Sequence, residues 1–176
     1  MCEGDDPPVT PGLYPASLMN LPRASRRVVE AAAAVGLHID VHEFPEGTKT
    51  AADAAAAIGC EVAAIVKSLV FTVDGEPVVA FVPGDRRLET TALAEVAGGG
   101  KVRRADLDTV REATGYAAGG TPPFGHADSL PIFADEALRR HDPVWAAAGT
   151  PTTVFPISLA DLERVASPTW AELSRP

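Results

Sequence analysis

A chain of 176 residues with 46% hydrophobic residues is long enough for one sizeable core, and nothing in its length requires a second domain. Its net charge of −9 argues against a protein that wraps a nucleic acid by bulk electrostatics, because non-specific affinity comes from Lys and Arg neutralising phosphates. Two cysteines, Cys2 and Cys60, are too few and too isolated for a disulfide framework or a paired-cysteine metal site.

Residues 1–20 read as an irregular N-terminal tail. MCEGDDPPVTPGLYP carries four prolines and three acids and lacks the basic start and apolar core of a signal peptide. No apolar run approaches the roughly 20 residues of a membrane helix, so a cytoplasmic protein with no membrane partner is expected. Residues 21–176 are expected to form a single domain. Within it, RASRRVVEAAAAVGL repeats apolar residues at helical spacing and predicts a helix from Pro22 to Val35. HIDVHEF alternates like a strand, with His38 and His42 on one face. No third ligand sits near these two, so a solvated pair is expected and no metal.

TAADAAAAIG predicts a short helix capped by Thr50, with Asp53 three residues on. IVKSLVFTV and EPVVAFV flank Asp74-Gly75 as a tight hairpin. Alternation then puts Ile65, Lys67, Leu69, Phe71 and Val73 on one face, and Val66, Ser68, Val70 and Thr72 on the other. Lys67 thus shares the more apolar face. It either snorkels to water or aims its ammonium into a pocket.

Further along, TALAEVAGG predicts a helix capped by Thr90 or Thr91, KVRRA a strand, and ADLDTVREATG a helix closed by Gly115. LPIFAD is a strand, DEALRRH a helical turn, PVWAAAG and TTVFPI two more strands, and SLADLERVA a helix capped by Ser158. Arg86, Arg87, Lys101, Arg103, Arg104 and Arg111 lie among acids and read as a mixed, solvated surface. Hairpins together with helix-separated strands indicate a mixed sheet with helices packed around it.

ATGYAAGGTPPFGH, from Ala113 to His126, combines four glycines with adjacent prolines. Glycine admits positive φ and close backbone approach, and proline fixes the path, so the loop is either an ordinary connection or a stiff cradle of exposed amides. It has neither the Gly-Lys-Ser/Thr ending nor the GxGxxG opening of a phosphate loop. Gly120 is expected in the left-handed region, where a valine would be strained.

The succession TAADAAAAIG, IVKSLVF, VVAFVPGDRRL, VREATGYAAGGTPPFGH, LPIFADEAL and VWAAAGTPTTVFPISLADL resembles the YbaK/prolyl-tRNA synthetase-associated editing domains, which deacylate mischarged tRNA. The likeness runs from Ala24 to Val165 and rests on order and spacing rather than on any single piece. Lys67 matches the signature lysine, and Gly119-x-x-x-Pro123 resembles the glycine-proline loop. The resemblance implies a mixed α/β fold with a strongly curved, partly barrel-like sheet and one small pocket. It also implies substrate-assisted ester hydrolysis through a tRNA terminal hydroxyl and a bound water, without a cofactor.

Lys67, Gly119 and Gly120 are then the expected catalytic residues, the loop amides serving as oxyanion donors. The expected substrate contacts are Ser68, Asp85, Thr121, Pro122, Pro123, Phe124, Gly125, His126 and Asp135. Several of these carry a second reading: Asp85 and Asp135 as turn or cap residues, Phe124 as a packing anchor, and His126 as structural rather than a base. The chain lacks a synthetase's catalytic and anticodon-binding domains, which implies action in trans on the aminoacyl-tRNA acceptor end, with a synthetase as a second partner. The sequence sets no oligomeric state. The alternative is a catalytically silent binding module of the same fold; Lys67 and the full glycine loop favour the hydrolase.

Overall fold

The structure, a computed structural model, describes residues 16–44 and 50–176. Most of the expected tail lies outside the described residues; Ala16–Met19 form one helical turn, α1. Helix α2, Arg23–Ala34, follows Pro22 and buries Ser25, Val28 and Ala32, a spacing of three and four that turns one stripe to the core. The strand expected over 38–44 shrinks to β1, His42–Glu43. Alternation does bury Leu37 and Ile39, but a strand also needs a partner, and among the described residues the ladder with the strand Thr153–Ile157 takes in His42 and Glu43, with the Phe44 amide donating to the Thr152 carbonyl at 2.8 Å.

Helix α3, Ala51–Ile58, begins as expected, with Thr50 Oγ1 accepting the Asp53 amide at 3.1 Å. Strands β2, Ile65–Val73, and β3, Glu76–Pro83, form the hairpin. Asp74 and Gly75 hold φ of 51° and 85°, the two positive values its turn requires. Strand β4, Arg87–Leu88, leads into α4, Thr90–Val96, whose N-cap is Glu89 without a side-chain cap rather than Thr90 or Thr91. The Glu89 carboxylate instead pairs with Arg175.

Strand β5, Val102–Arg104, precedes α5, Leu107–Thr114, which Gly115 closes at φ 81°. Strand β6, Ile132–Asp135, a helical turn over Glu136–Arg140, and strands β7, Val144–Ala147, and β8, Thr153–Ile157, follow. Helix α6, Leu159–Ala166, is capped by Ser158 Oγ on the Asp161 amide at 3.1 Å. Two short strands not expected from the sequence, β9, Thr169–Ala171, and β10, Ser174–Arg175, end the chain.

The main sheet runs β1-β8-β7-β2-β3-β6-β9, with β5 also on β2, and β10 pairs β4 separately. It mixes antiparallel pairs with parallel ones, β2 with β7, β3 with β6 and β6 with β9. The end strands β1 and β9 share no ladder among the described residues, so the sheet runs open and the expected barrel-like closure is not found. One edge of β2 positions the site. There β7 pairs only Ile65 and Val66, and β5 pairs only Phe71 to Val73. Lys67, Ser68 and Leu69 lie in the gap, between a main core under α2 and a smaller one built on Phe71, Leu93 and Leu173.

Candidate active site at the gap in β2

A cleft of 280 Å³ opens at this gap. Its walls come from α3 through Ala51 and Ala54, from β2 through Ile65 to Leu69, from β5 through Arg104, and from β7 through Trp145 to Ala147. Two loops complete it, one with Gly119 and Thr121, the other with Thr150 and Pro151, together with Thr153 and Val154 at the start of β8. A side chamber of 80 Å³ shares Ser68, Arg104, Gly119 and Thr121 and adds Val70, Ala105, Leu107, Val110 and Ala118.

Lys67 is half-buried, and its ammonium donates to the Arg86 carbonyl at 2.5 Å. Burial lowers its pKa; Asp85 opposes the shift, while Arg87 and Arg104 add to it. The result is a cation fixed at the cleft with one of its three hydrogens engaged. Beside it, the Ser68 hydroxyl is buried with no hydrogen-bond partner among the described residues.

Of the adjacent glycines in the loop, Gly119 is left-handed, at φ 84°, and Gly120 takes no positive φ. This corrects the expectation for Gly120, whose need for glycine is steric. A Cβ there would stand 2.7 Å from Thr150 Cα and 2.8 Å from the Gly149 carbonyl oxygen. Two loops pass backbone to backbone at this point, with the Gly149 amide donating to the Gly120 carbonyl at 2.9 Å. The Gly120 amide is also engaged, donating to the Ala117 carbonyl at 3.1 Å. The amides of Gly119 and Thr121 donate to nothing among the described residues, and both residues line the cleft. They are the loop residues of the cleft lining whose amides are open.

The structure therefore brings Lys67, Ser68, Gly119 and Thr121 together. The other expected contacts stand apart from the lining. Pro122, Pro123 and Phe124 are buried, Phe124 edge-on to Phe155 at 5.9 Å. His126 Nε2 bonds the Pro122 carbonyl at 2.7 Å and pins the loop's return, and burial lowers its pKa. Gly125 is exposed at φ 71°. Asp85 is exposed on the turn before β4, facing Lys67 only through its charge. Asp135 is 3% exposed and accepts the amides of Ala137 at 2.7 Å and Leu173 at 2.9 Å, so it caps one turn and ties down the C-terminal strands.

Three contributors were not singled out from sequence. Arg104 was grouped with a solvated surface, although its pairing with Phe71 sets it beside the gap. Thr150 and Thr153 line the cleft floor within a hydroxyl cluster that reaches Ser25 on α2, 128 residues away, a separation that sequence pattern does not reveal.

A half-buried ammonium beside two unengaged amides in a narrow cleft is a site for a small group with developing negative charge, such as an ester carbonyl under attack. The comparisons with known proteins fit that class. Residues 45–165 match the family model of the aminoacyl-tRNA editing domain, and the chain belongs to that family. A solved structure described as a "putative trans-editing enzyme for prolyl tRNA synthetase" superposes with a TM-score of 0.84 at 39% identity, over 89% of this chain and 99% of that one. The proline–tRNA ligase of Maridesulfovibrio salexigens is 40% identical over 92 residues, 52% of this chain but only 16% of the ligase. The "Putative Cys-tRNA(Pro)/Cys-tRNA(Cys) deacylase EbsC" of Enterococcus faecalis is 33% identical over 108 residues, 60% of this chain and 65% of that protein.

Proposed function

We propose that this chain hydrolyses the ester of mischarged aminoacyl-tRNA in trans. The observation that supports the reading is that Lys67, Gly119 and Thr121 line one cleft, the amides of the last two donating to nothing among the described residues. In the reaction, water adds to the ester carbonyl carbon, the carbon–oxygen bond to the ribose breaks, and the tRNA leaves as its hydroxyl with a free amino acid. The Gly119 and Thr121 amides receive the negative charge that grows on the carbonyl oxygen, and being fixed in advance they need little reorganisation. Lys67 holds the terminal phosphate or the ester at the cleft mouth, and Arg104 adds a second cation there. Gly120 serves the loop's packing rather than the reacting atoms. No metal or cofactor is invoked.

The lining favours small aminoacyl groups. Ala51, Ala54, Ala146 and Ala147 give it smooth apolar walls, and among the described residues its charged side chains are both cationic. Such a cleft sorts largely by size, and one methylene is worth only about 1–3 kcal/mol, so activity on alanyl, seryl and cysteinyl esters should overlap. The names of the relatives support a synthetase of the prolyl type as a partner in the cytoplasm, where mischarged tRNA arises. The test is release of amino acid from a panel of mischarged tRNAs by purified protein. Release from none of them, by a folded protein, would leave the silent-module reading in its place.

A further inference from the structure

The cleft floor carries a hydroxyl chain to which ester hydrolysis as described gives no role. Ser25, fully buried on α2, donates its hydrogen to Thr153 Oγ1 at 3.0 Å. Thr153 Oγ1 donates in turn to the carbonyl of Ala148 at 3.0 Å, a buried oxygen that no backbone amide among the described residues reaches. A hydroxyl has a single hydrogen, so Thr153 has none left for Thr150, whose Oγ1 lies 2.7 Å away. Two hydroxyl oxygens that close share a hydrogen, and it must come from Thr150. The alternative acceptor, Thr152 Oγ1, is farther off at 3.3 Å.

The polarity of Thr150 is thereby fixed. Its hydrogen points inward to Thr153, and its oxygen takes the Thr152 amide at 3.3 Å and keeps a second lone pair, for which the Thr152 hydroxyl, also at 3.3 Å, is a distant competitor, on a residue that lines the cleft. The cleft floor thus presents an acceptor and requires a donor from the ligand. Charge selects which donor. Lys67 and Arg104 line the cleft and no carboxylate among the described residues does, so an ammonium would face two cations with no counter-charge. A neutral hydroxyl meets no such repulsion.

We propose that Thr150 accepts a hydrogen bond from the free ribose hydroxyl of the terminal nucleotide, the one vicinal to the aminoacyl ester. This rests on the deacylase reading and adds to it the group that orients the ribose. A hydroxyl whose hydrogen is held by Thr150 turns its own lone pairs toward the ester, where a water can be bound. Ser25 and Thr153 act behind Thr150 as positioning residues, because they decide where its hydrogen points.

The test is a double-mutant cycle between protein and substrate. Initial rates are measured for wild type, Thr150→Val and Thr150→Ser on one mischarged tRNA ending in adenosine, and on the same tRNA ending in 2′-deoxyadenosine with the ester on the 3′ oxygen. Thr150→Val is expected to lower kcat/KM about tenfold on the ribose substrate, the loss of one well-placed hydrogen bond, with Thr150→Ser near wild type. On the deoxy substrate, which has no hydroxyl to donate, Thr150→Val should change the rate by less than about twofold, because the partners act as a unit.

Thermal denaturation of each variant separates a folding defect from this coupling, and Thr150→Ala serves if the valine variant does not fold. Equal losses on both substrates overturn the assignment, since Thr150 would then serve the attacking water or the fold. A loss that disappears on N-acetylating the amino acid, and not on removing the hydroxyl, overturns it in favour of the ammonium. Wild type that releases no amino acid from any tRNA removes the deacylase reading and this inference with it, whereas additive losses in an active enzyme remove this inference alone.

Discussion

At the scale of single residues, Lys67 and Gly120 separate what charge does from what space does. The Lys67 pKa is depressed, chiefly by burial, so its ammonium loses its proton below the ordinary lysine value of 10.5. If the charged form binds substrate, kcat/KM corrected for spontaneous ester hydrolysis falls on an alkaline limb that begins below that value. Lys67→Arg, which stays charged throughout, should flatten the limb even where its rate is reduced. A limb that persists unchanged in the arginine variant would assign it to another group. Gly120 is a matter of room: Gly120→Ala drives a methyl into the Gly149–Thr150 backbone. Overpacking of this kind costs about 1–3 kcal/mol, so Tm should drop by several degrees as the two loops part, as differential scanning calorimetry would record. An unchanged Tm would mean that the loops give way freely. The sequence showed a glycine requirement at both Gly119 and Gly120 and could not divide it, because a positive φ and a close approach call for the same residue.

At the scale of elements, legibility followed locality. The caps at Thr50 and Ser158 and the hairpin at Asp74-Gly75 are set by residues within three or four positions, and each could be read from the chain. Strands β4, β9 and β10 could not, being two or three residues long and defined only by distant partners. They still matter to the site. Strand β10 pairs β4, the Leu173 carbonyl takes the Glu89 amide at 2.7 Å, and just before β4 stands Arg86, whose carbonyl holds Lys67. Asp135 fastens this arrangement by accepting the Leu173 amide. Asp135→Ala strands two amides, and with about 1–3 kcal/mol for each buried donor left unpaired, a clear loss of chemical stability is expected in urea titration. A midpoint equal to wild type would mean that solvent or another acceptor replaces the carboxylate. The same dependence on distance hid the Thr150–Thr153–Ser25 cluster, in which two of the three hydroxyls belong to the quoted segment VWAAAGTPTTVF and the third belongs to α2.

At the scale of the whole molecule, a net charge of −9 coexists with a cleft whose charged lining among the described residues is Lys67 and Arg104, with Arg87 close enough to act on Lys67. Such a protein engages few phosphates, which fits the acceptor end of a tRNA better than its body, and a small number of neutralised phosphates gives a shallow salt dependence. Size is the remaining basis for selection. On one tRNA, alanyl, seryl and cysteinyl esters should be hydrolysed at overlapping rates and a phenylalanyl ester much more slowly, and phenylalanyl release as fast as the best small group would defeat the sieve. The central claim, that this cleft hydrolyses aminoacyl esters and that Lys67 is part of its machinery, is tested most directly by comparing wild type with Lys67→Ala on the most rapidly cleaved member of the mischarged panel. The expected result is at least about a tenfold lower kcat/KM at unchanged Tm, the loss of roughly 1.4 kcal/mol of transition-state stabilisation. Equal kcat/KM in the two proteins, both folded, would contradict it.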